Sequence, residues 1–257
     1  MKYLAIPYSI AAYLFGFASL VALILFVGGV FLPWTIDTGS PVSPRLAGLS
    51  AVVANLALVT IWGLQHSVMA DPDFKRLWIR IVPPAIERST YVLIVGLVTF
   101  ALLALWSPMT LVIWDFSGTL LGAVLFAGYF AGWSITLFST FLINHFELFG
   151  LQQAWQRVRR VTPKEQSFVT PLLYKLVRHP MMSGILIALW CAPALSVGRL
   201  LFNIAMTAYI LIGLRHEEKT LVDELGDEYR DYQAATPMLV PGMPSATRHH
   251  VARNEKA

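Results

Sequence analysis

Two short polar clusters hold most of the chemistry-bearing side chains in the second half of this chain. Leu176-Val177-Arg178-His179-Pro180 opens a long apolar block, with Gly184 four positions after the proline. Arg215-His216-Glu217-Glu218-Lys219 follows that block. Taken singly, these residues have plain structural readings: headgroup anchoring for Arg178 and His179, a solvated helix face for Glu217 and Glu218. Together they place two guanidinium groups, two imidazoles and two carboxylates where apolar sequence meets water. Pro180 pre-sets a helix start, the open N–H groups of a first turn attract anions, and Gly184 permits close backbone approach. Such a set suits a ligand carrying both a carboxylate and an ammonium group.

The first half carries three polar islands. They are Gln65-His66-Ser67, then Glu87-Arg88-Ser89-Thr90-Tyr91, then Asn144-His145-Phe146-Glu147 running on to Gln152-Gln153. Plainer roles are a structural histidine for His66, a local Glu87–Arg88 ion pair, and capping of a helix C-terminus by His145.

What must position these residues follows from composition. Of the 257 residues 56% are hydrophobic and only 13% charged, against about 25% charged in an ordinary soluble domain. With a mean hydropathy of +0.63, too little polar surface remains to coat a globule. The long apolar runs exclude a barrel of short alternating strands. The expected fold is therefore an all-α polytopic membrane bundle. The pI of about 9.3 is explained by basic loops at a membrane face rather than by nucleic acid.

Spacing of charge predicts four long spans over 6–32, 46–69, 89–106 and 118–144, each with the roughly 20 apolar residues a bilayer needs. The first is not expected to be a cleaved signal peptide, since Phe31-Leu32-Pro33-Trp34 supplies no small-residue cleavage site. The block 181–214 would be about 50 Å long as one helix. Pro193, Gly198 and Arg199 interrupt it, so a two-helix hairpin that returns to its starting side is predicted. An amphipathic helix over 214–233 should follow, with Leu221, Leu225, Tyr229 and Tyr232 on one stripe. With the N-terminus inside, seventeen of the nineteen lysines and arginines fall on the inner side, leaving Arg45 and Arg199 outside. This predicts six membrane-embedded segments in a multi-pass cell-membrane protein with both termini cytoplasmic. Gly118, Gly122, Gly128 and Gly132 read as a close-packing stripe. Arg157, Arg159 and Arg160 read as lipid-headgroup contacts. The lone Cys191 precludes an internal disulfide.

Arg178-His179-Pro180 with Gly184, then Glu217-Glu218, then Leu225-Gly226-Asp227-Glu228-Tyr229 and Pro237-Met238-Leu239-Val240-Pro241, resembles the S-adenosylmethionine site of the membrane methyltransferases. These include the isoprenylcysteine carboxyl and phospholipid methyltransferases. The polar islands of the first half look like the NnrU-type branch, most closely the bacterial methanethiol S-methyltransferases. The chain departs from many members in carrying Met182 where they place an aromatic residue. The resemblance implies one membrane methyltransferase domain, with 1–150 on the acceptor side, 175–241 holding the cofactor, and 242–257 lacking order. It implies Arg178, His179, Pro180, Gly184, Arg215, Glu217, Glu218 and Gln153 around S-adenosylmethionine, with S-adenosylhomocysteine as product. It places Asn144, Arg88 and Glu147 around a small thiol, and His145, His66, Tyr91 and Glu87 in catalysis.

The implied reaction joins an anionic thiolate to a cationic methyl donor and gives two neutral products, which a dry site favours. A simple alkyl thiol is a weaker acid than cysteine, whose pKa is about 8.5, so a base is required. His66 and His145 are the candidates, oriented by Tyr91 or Glu87. No metal-ligand spacing is evident, and neither metal nor nucleic acid is expected as a partner. Two alternatives remain open from sequence. One is methylation of a larger acceptor, a prenylcysteine carboxylate or a lipid amine. The other is a non-enzymatic NnrU-type accessory or transport protein.

Overall fold

The computed structural model describes residues 4–161 and 169–243, so Lys164 and nearly all of the 242–257 tail lie outside the described residues. In chain order the elements are α1 (Ala5–Gly28), α2 (Gly48–Ala70), α3 (Pro72–Trp78), α4 (Glu87–Leu105), β1 (Val112–Asp115), α5 (Leu120–Ile143), α6 (His145–Leu148), α7 (Leu151–Arg159), α8 (Pro180–Trp190), β2 (Ala194–Ser196), α9 (Val197–Leu225) and α10 (Asp227–Ala235). Among the described residues α1, α2, α4, α5 and α9 are long and apolar enough to cross a membrane, and α8 is a shorter apolar helix. The protein is an all-α polytopic membrane protein with one very small sheet. It divides into two compact units. The first holds 1–123, 144–166 and 192–206; the second holds 124–143, 167–191 and 207–257.

In the first unit α1 packs along α4. Two side-chain bonds pin the crossing, Ser89 Oγ to Ser9 Oγ at 2.7 Å and Tyr8 OH with Thr90 Oγ1 at 2.9 Å. Buried hydroxyls need such partners in an apolar setting. Helix α1 stops at Gly28 rather than at the expected Leu32, because Gly29 turns left-handed and its N–H closes on Leu25 O. Between α2 and α4 the chain forms the unexpected α3. Asp71 caps it by accepting from Asp73 N–H at 2.8 Å and Phe74 N–H at 3.2 Å, with Pro72 in the first position.

The stretch around 193–199 is partly a strand, not only a tight turn. Antiparallel β1 and β2 pair Val112 with Ser196 and Trp114 with Leu195. Arg199 is buried there, with Nη2 3.1 Å from Asp37 Oδ2 and Nη1 donating to Ala194 O at 2.9 Å. A buried guanidinium requires those acceptors.

In the second unit α8 packs against α5. A Cβ at Gly132 would lie 2.5 Å from Gly184 O, and one at Gly184 2.5 Å from Gly132 O. The expected glycine stripe therefore splits. Gly128 and Gly132 serve close packing, Gly128 against Cys191. Gly118 precedes α5, and Gly122 sits against the Phe116 carbonyl. The return predicted for 181–214 is present: Trp190 Nε1 donates to Thr207 Oγ1 at 3.1 Å. Helix α9 then runs on to Leu225, where a separate amphipathic helix from Leu214 was expected. No glycine or proline interrupts 214–225, so the helix continues until Gly226, whose φ of 61° breaks it before α10. At 29 residues α9 is about 43 Å long. That exceeds a bilayer core, so its last turns carry Glu217 and Glu218 beyond the apolar region.

Candidate functional site

The second unit gathers the hairpin-flanking clusters. Arg178 Nε donates to Glu218 Oε1 at 2.5 Å and Nη2 to Glu218 Oε2 at 3.0 Å, a two-point guanidinium–carboxylate pair. Nη1 donates to Gln233 O at 3.1 Å and also to Thr236 O. Gln233 Nε2 adds a bond to Glu218 Oε2 at 3.3 Å. His179 Nε2 lies 3.1 Å from Glu218 Oε1, and Nδ1 lies 3.9 Å from Glu217 Oε2. The Arg178 side chain is only 6% exposed and that of Glu218 14%, whereas Glu217 is 53% exposed. Arg178 and Glu218 thus hold each other, and Glu217 presents its carboxylate outward.

The C-terminal tail locks this node. Arg178 N–H donates to Pro237 O at 2.9 Å and His179 N–H to Met238 O at 3.1 Å. Ser183 Oγ donates to Leu239 O at 2.7 Å. Pro180 occupies the first turn of α8 as expected. The room at Gly184 is taken by Gly132 and Thr136 of α5, so its smallness serves helix packing. Arg215 is exposed and stands outside the node. Three tyrosines surround it. Burial pushes the Tyr174 and Tyr229 hydroxyls well above the phenol range. Tyr232 is pushed up to about 12, chiefly by burial; the Arg178 charge opposes this and the Glu218 charge adds to it. Tyr232 OH donates to Tyr174 O at 2.5 Å. These phenols stay protonated beside the carboxylates.

The first unit gathers the polar islands differently. Tyr91 is buried on α4, and its hydroxyl lies 3.2 Å from both ring nitrogens of His66 on α2. The His66 ring stacks on Trp62 at 5.1 Å, and Arg88 covers the Tyr91 ring at 4.6 Å. Arg88 Nε donates to Leu148 O at 2.7 Å. The local Glu87–Arg88 ion pair does not form; Glu87 Oε1 is buried and accepts no hydrogen bond from the described residues. An imidazole, a phenol and a guanidinium thus lie together at the meeting of apolar helices.

His145 is enclosed in the same unit. It is 2% exposed, with Nε2 3.1 Å from Tyr13 OH and its ring against Phe149 at 4.7 Å and Phe146 at 5.5 Å. Burial holds its pKa below the ordinary histidine value, which keeps it neutral at pH 7. His145 opens α6 instead of capping α5, because Asn144 ends α5 and caps α6 from Oδ1. Asn144 Nδ2 donates to Glu147 Oε2 and to Gln152 Oε1, each at 2.7 Å. Asn144 and Glu147 therefore serve a local cap. Gln153 belongs to this unit: its Nε2 donates to Glu147 O at 3.1 Å, and its Oε1 is buried without a hydrogen-bond donor. Gly150, at φ 87°, lets the 147–153 turn close on α4, where a Cβ would lie 2.6 Å from Ser89 N.

Sequence reasoning missed Tyr13, Trp62, Gln233 and the carbonyl of Thr236. A tyrosine within a span that has no charged residue was the available signal for Tyr13. Backbone carbonyls leave none. Among the described residues no group of three or more histidines, cysteines or acids could hold a metal ion.

Comparison with known proteins supplies the remaining context. The chain is 45% identical over 242 residues to methanethiol S-methyltransferase 1 of Bradyrhizobium diazoefficiens, covering 93% of this chain and 83% of that one. It is 44% identical over 242 residues to the methanethiol S-methyltransferase of Mycobacterium tuberculosis, covering 93% and 97%. It is 46% identical over 217 residues to that of Pseudomonas deceptionensis, covering 84% and 81%. No family model and no solved structure matches it.

Proposed function

The chain belongs to the methanethiol S-methyltransferase family, and from that premise we propose that it methylates methanethiol with S-adenosylmethionine, giving dimethyl sulfide and S-adenosylhomocysteine. The identity of 44% over nearly the whole length of the mycobacterial relative is the observation that carries this reading. S-Adenosylmethionine, when bound, supplies an electrophilic methyl carbon on a cationic sulfur. The donor set of the second unit fits its amino-acid end. Glu217 offers an exposed carboxylate to the ammonium group, and the first turn of α8 behind Pro180 offers N–H groups to the carboxylate. His179 adds a polar edge. Arg178 and Glu218 are positioning residues, since their bonds go to each other and to the tail.

In the first unit His66 takes the thiol proton, with Tyr91 fixing the ring and Arg88 stabilising the thiolate electrostatically. The S–H bond breaks to the imidazole. Transfer would join the thiolate sulfur to the methyl carbon as the donor gives up its own S–C bond, leaving S-adenosylhomocysteine. The proton then leaves His66 to solvent. His145, enclosed by Tyr13 and two phenylalanines, holds the α6 turn. Apolar helices exclude water, which favours charge neutralisation.

The protein is read as lying in the bacterial cell membrane with both termini cytoplasmic, because the basic loops share one side. A cysteine label at position 115 should react from outside intact cells; reaction only after lysis would reverse the orientation. The activity is tested by incubating purified protein with S-adenosylmethionine and a thiol panel and analysing the headspace. Dimethyl sulfide from methanethiol is expected. Its absence, with methylation of a prenylcysteine or lipid amine instead, would overturn the substrate.

A further inference from the structure

At the end of the first unit that carries most of its basic residues, the start of α1, the loop before α4 and the end of α7 enclose a cavity of about 690 Å³. Its apolar wall includes Leu4, Tyr8, Pro83 and Ile86, and the exposed Arg157 and Arg160 also line it. Among the described residues no lining side chain is acidic, and neither arginine makes an ion pair. Arg160 is the left-handed C-cap of α7, with φ 58° and its N–H closed on Gln156 O, so the helix ends in a defined turn.

Two arginines that face no carboxylate among the described residues call for a group with several anionic oxygens, and guanidinium forks match phosphate in particular. The apolar wall calls for hydrocarbon on the same ligand. The depth agrees with both, because the cavity opens where apolar helices give way to basic loops, the level of lipid headgroups. We propose that this cavity binds the phosphate of an anionic phospholipid, with Arg157 and Arg160 on the phosphate and the lipid's apolar part against Leu4, Pro83 and Ile86. Ile86 directly precedes Glu87 and Arg88, so an occupant would brace α7 against the loop that leads into the thiol-side cluster.

The test uses the full-length protein in detergent, titrated with phosphatidylglycerol, phosphatidylcholine and inorganic phosphate, with bound lipid counted by native mass spectrometry. Phosphatidylglycerol should be retained about tenfold better than phosphatidylcholine, and millimolar inorganic phosphate should not displace it. The double variant Arg157→Gln/Arg160→Gln should lose that preference, and Arg157→Lys/Arg160→Lys should keep part of it. Arg76→Gln, an exposed arginine of the same unit, should retain lipid like the parent. Undiminished preference in the glutamine variant would overturn the proposal. So would an equal loss in Arg76→Gln, which would mean general surface charge, or displacement by inorganic phosphate, which would mean a free-anion site.

Discussion

The two polar clusters use the same residue types in opposite ways. In the second unit charge faces charge: Arg178 and Glu218 meet at two points, His179 joins them, and tail carbonyls take the remaining donors. In the first unit each imidazole meets a phenol, His66 with Tyr91 and His145 with Tyr13. The difference matches the two roles proposed for them. An ion-pair network with satisfied hydrogen bonds is costly to distort, which suits a rigid mould for a charged ligand. A phenol orients an imidazole without setting a charge of its own against the ring, which suits a proton acceptor.

The comparison breaks most sharply at Glu218. Glu218→Ala should leave Arg178 buried without its carboxylate, a change that costs about 3–5 kcal/mol. Thermal melting in detergent should fall markedly and activity vanish with it. A variant that melts like the parent would mean that the node is a surface anchor with no structural duty.

Next comes the thiol side. His66→Ala should lower turnover by about 10²–10⁴ while calorimetric affinity for S-adenosylmethionine stays at the parent level. The deficit should shrink as pH rises, since more thiolate then forms unaided. His145→Ala should cost less turnover and more stability, because its enclosed ring leaves a cavity beside Phe149. The reverse ranking would transfer the proton acceptor to His145, and a deficit independent of pH would make His66 a positioning residue.

The smallest effect sharpens the second unit. Glu217 is half exposed, so Glu217→Ala should leave melting unchanged and weaken S-adenosylmethionine binding by about tenfold to a hundredfold, the loss of one charge-assisted contact. Parent-like affinity in this variant would move the ammonium contact elsewhere.

By itself the sequence determined the membrane class, the spans and the hairpin, because charge gaps and apolar length are properties of a chain before it folds. It also marked Arg178, His179, Glu217 and Glu218 as one group, since a hairpin that returns must bring its two ends together. Local chemistry beyond its resolution moved some boundaries: Gly29 ends α1 early, and α9 continues through Leu214 until Gly226. Only the tertiary structure decided which partner each polar group takes. Arg178 could have faced a ligand as readily as Glu218, and Arg88 could have paired with Glu87 beside it. Their choices depend on backbone carbonyls at Leu148, Gln233 and Thr236, which every residue possesses and no side-chain pattern announces. Gly184 shows the same limit. Its lack of a side chain was legible, but whether a ligand or α5 fills the space depends on where another helix packs.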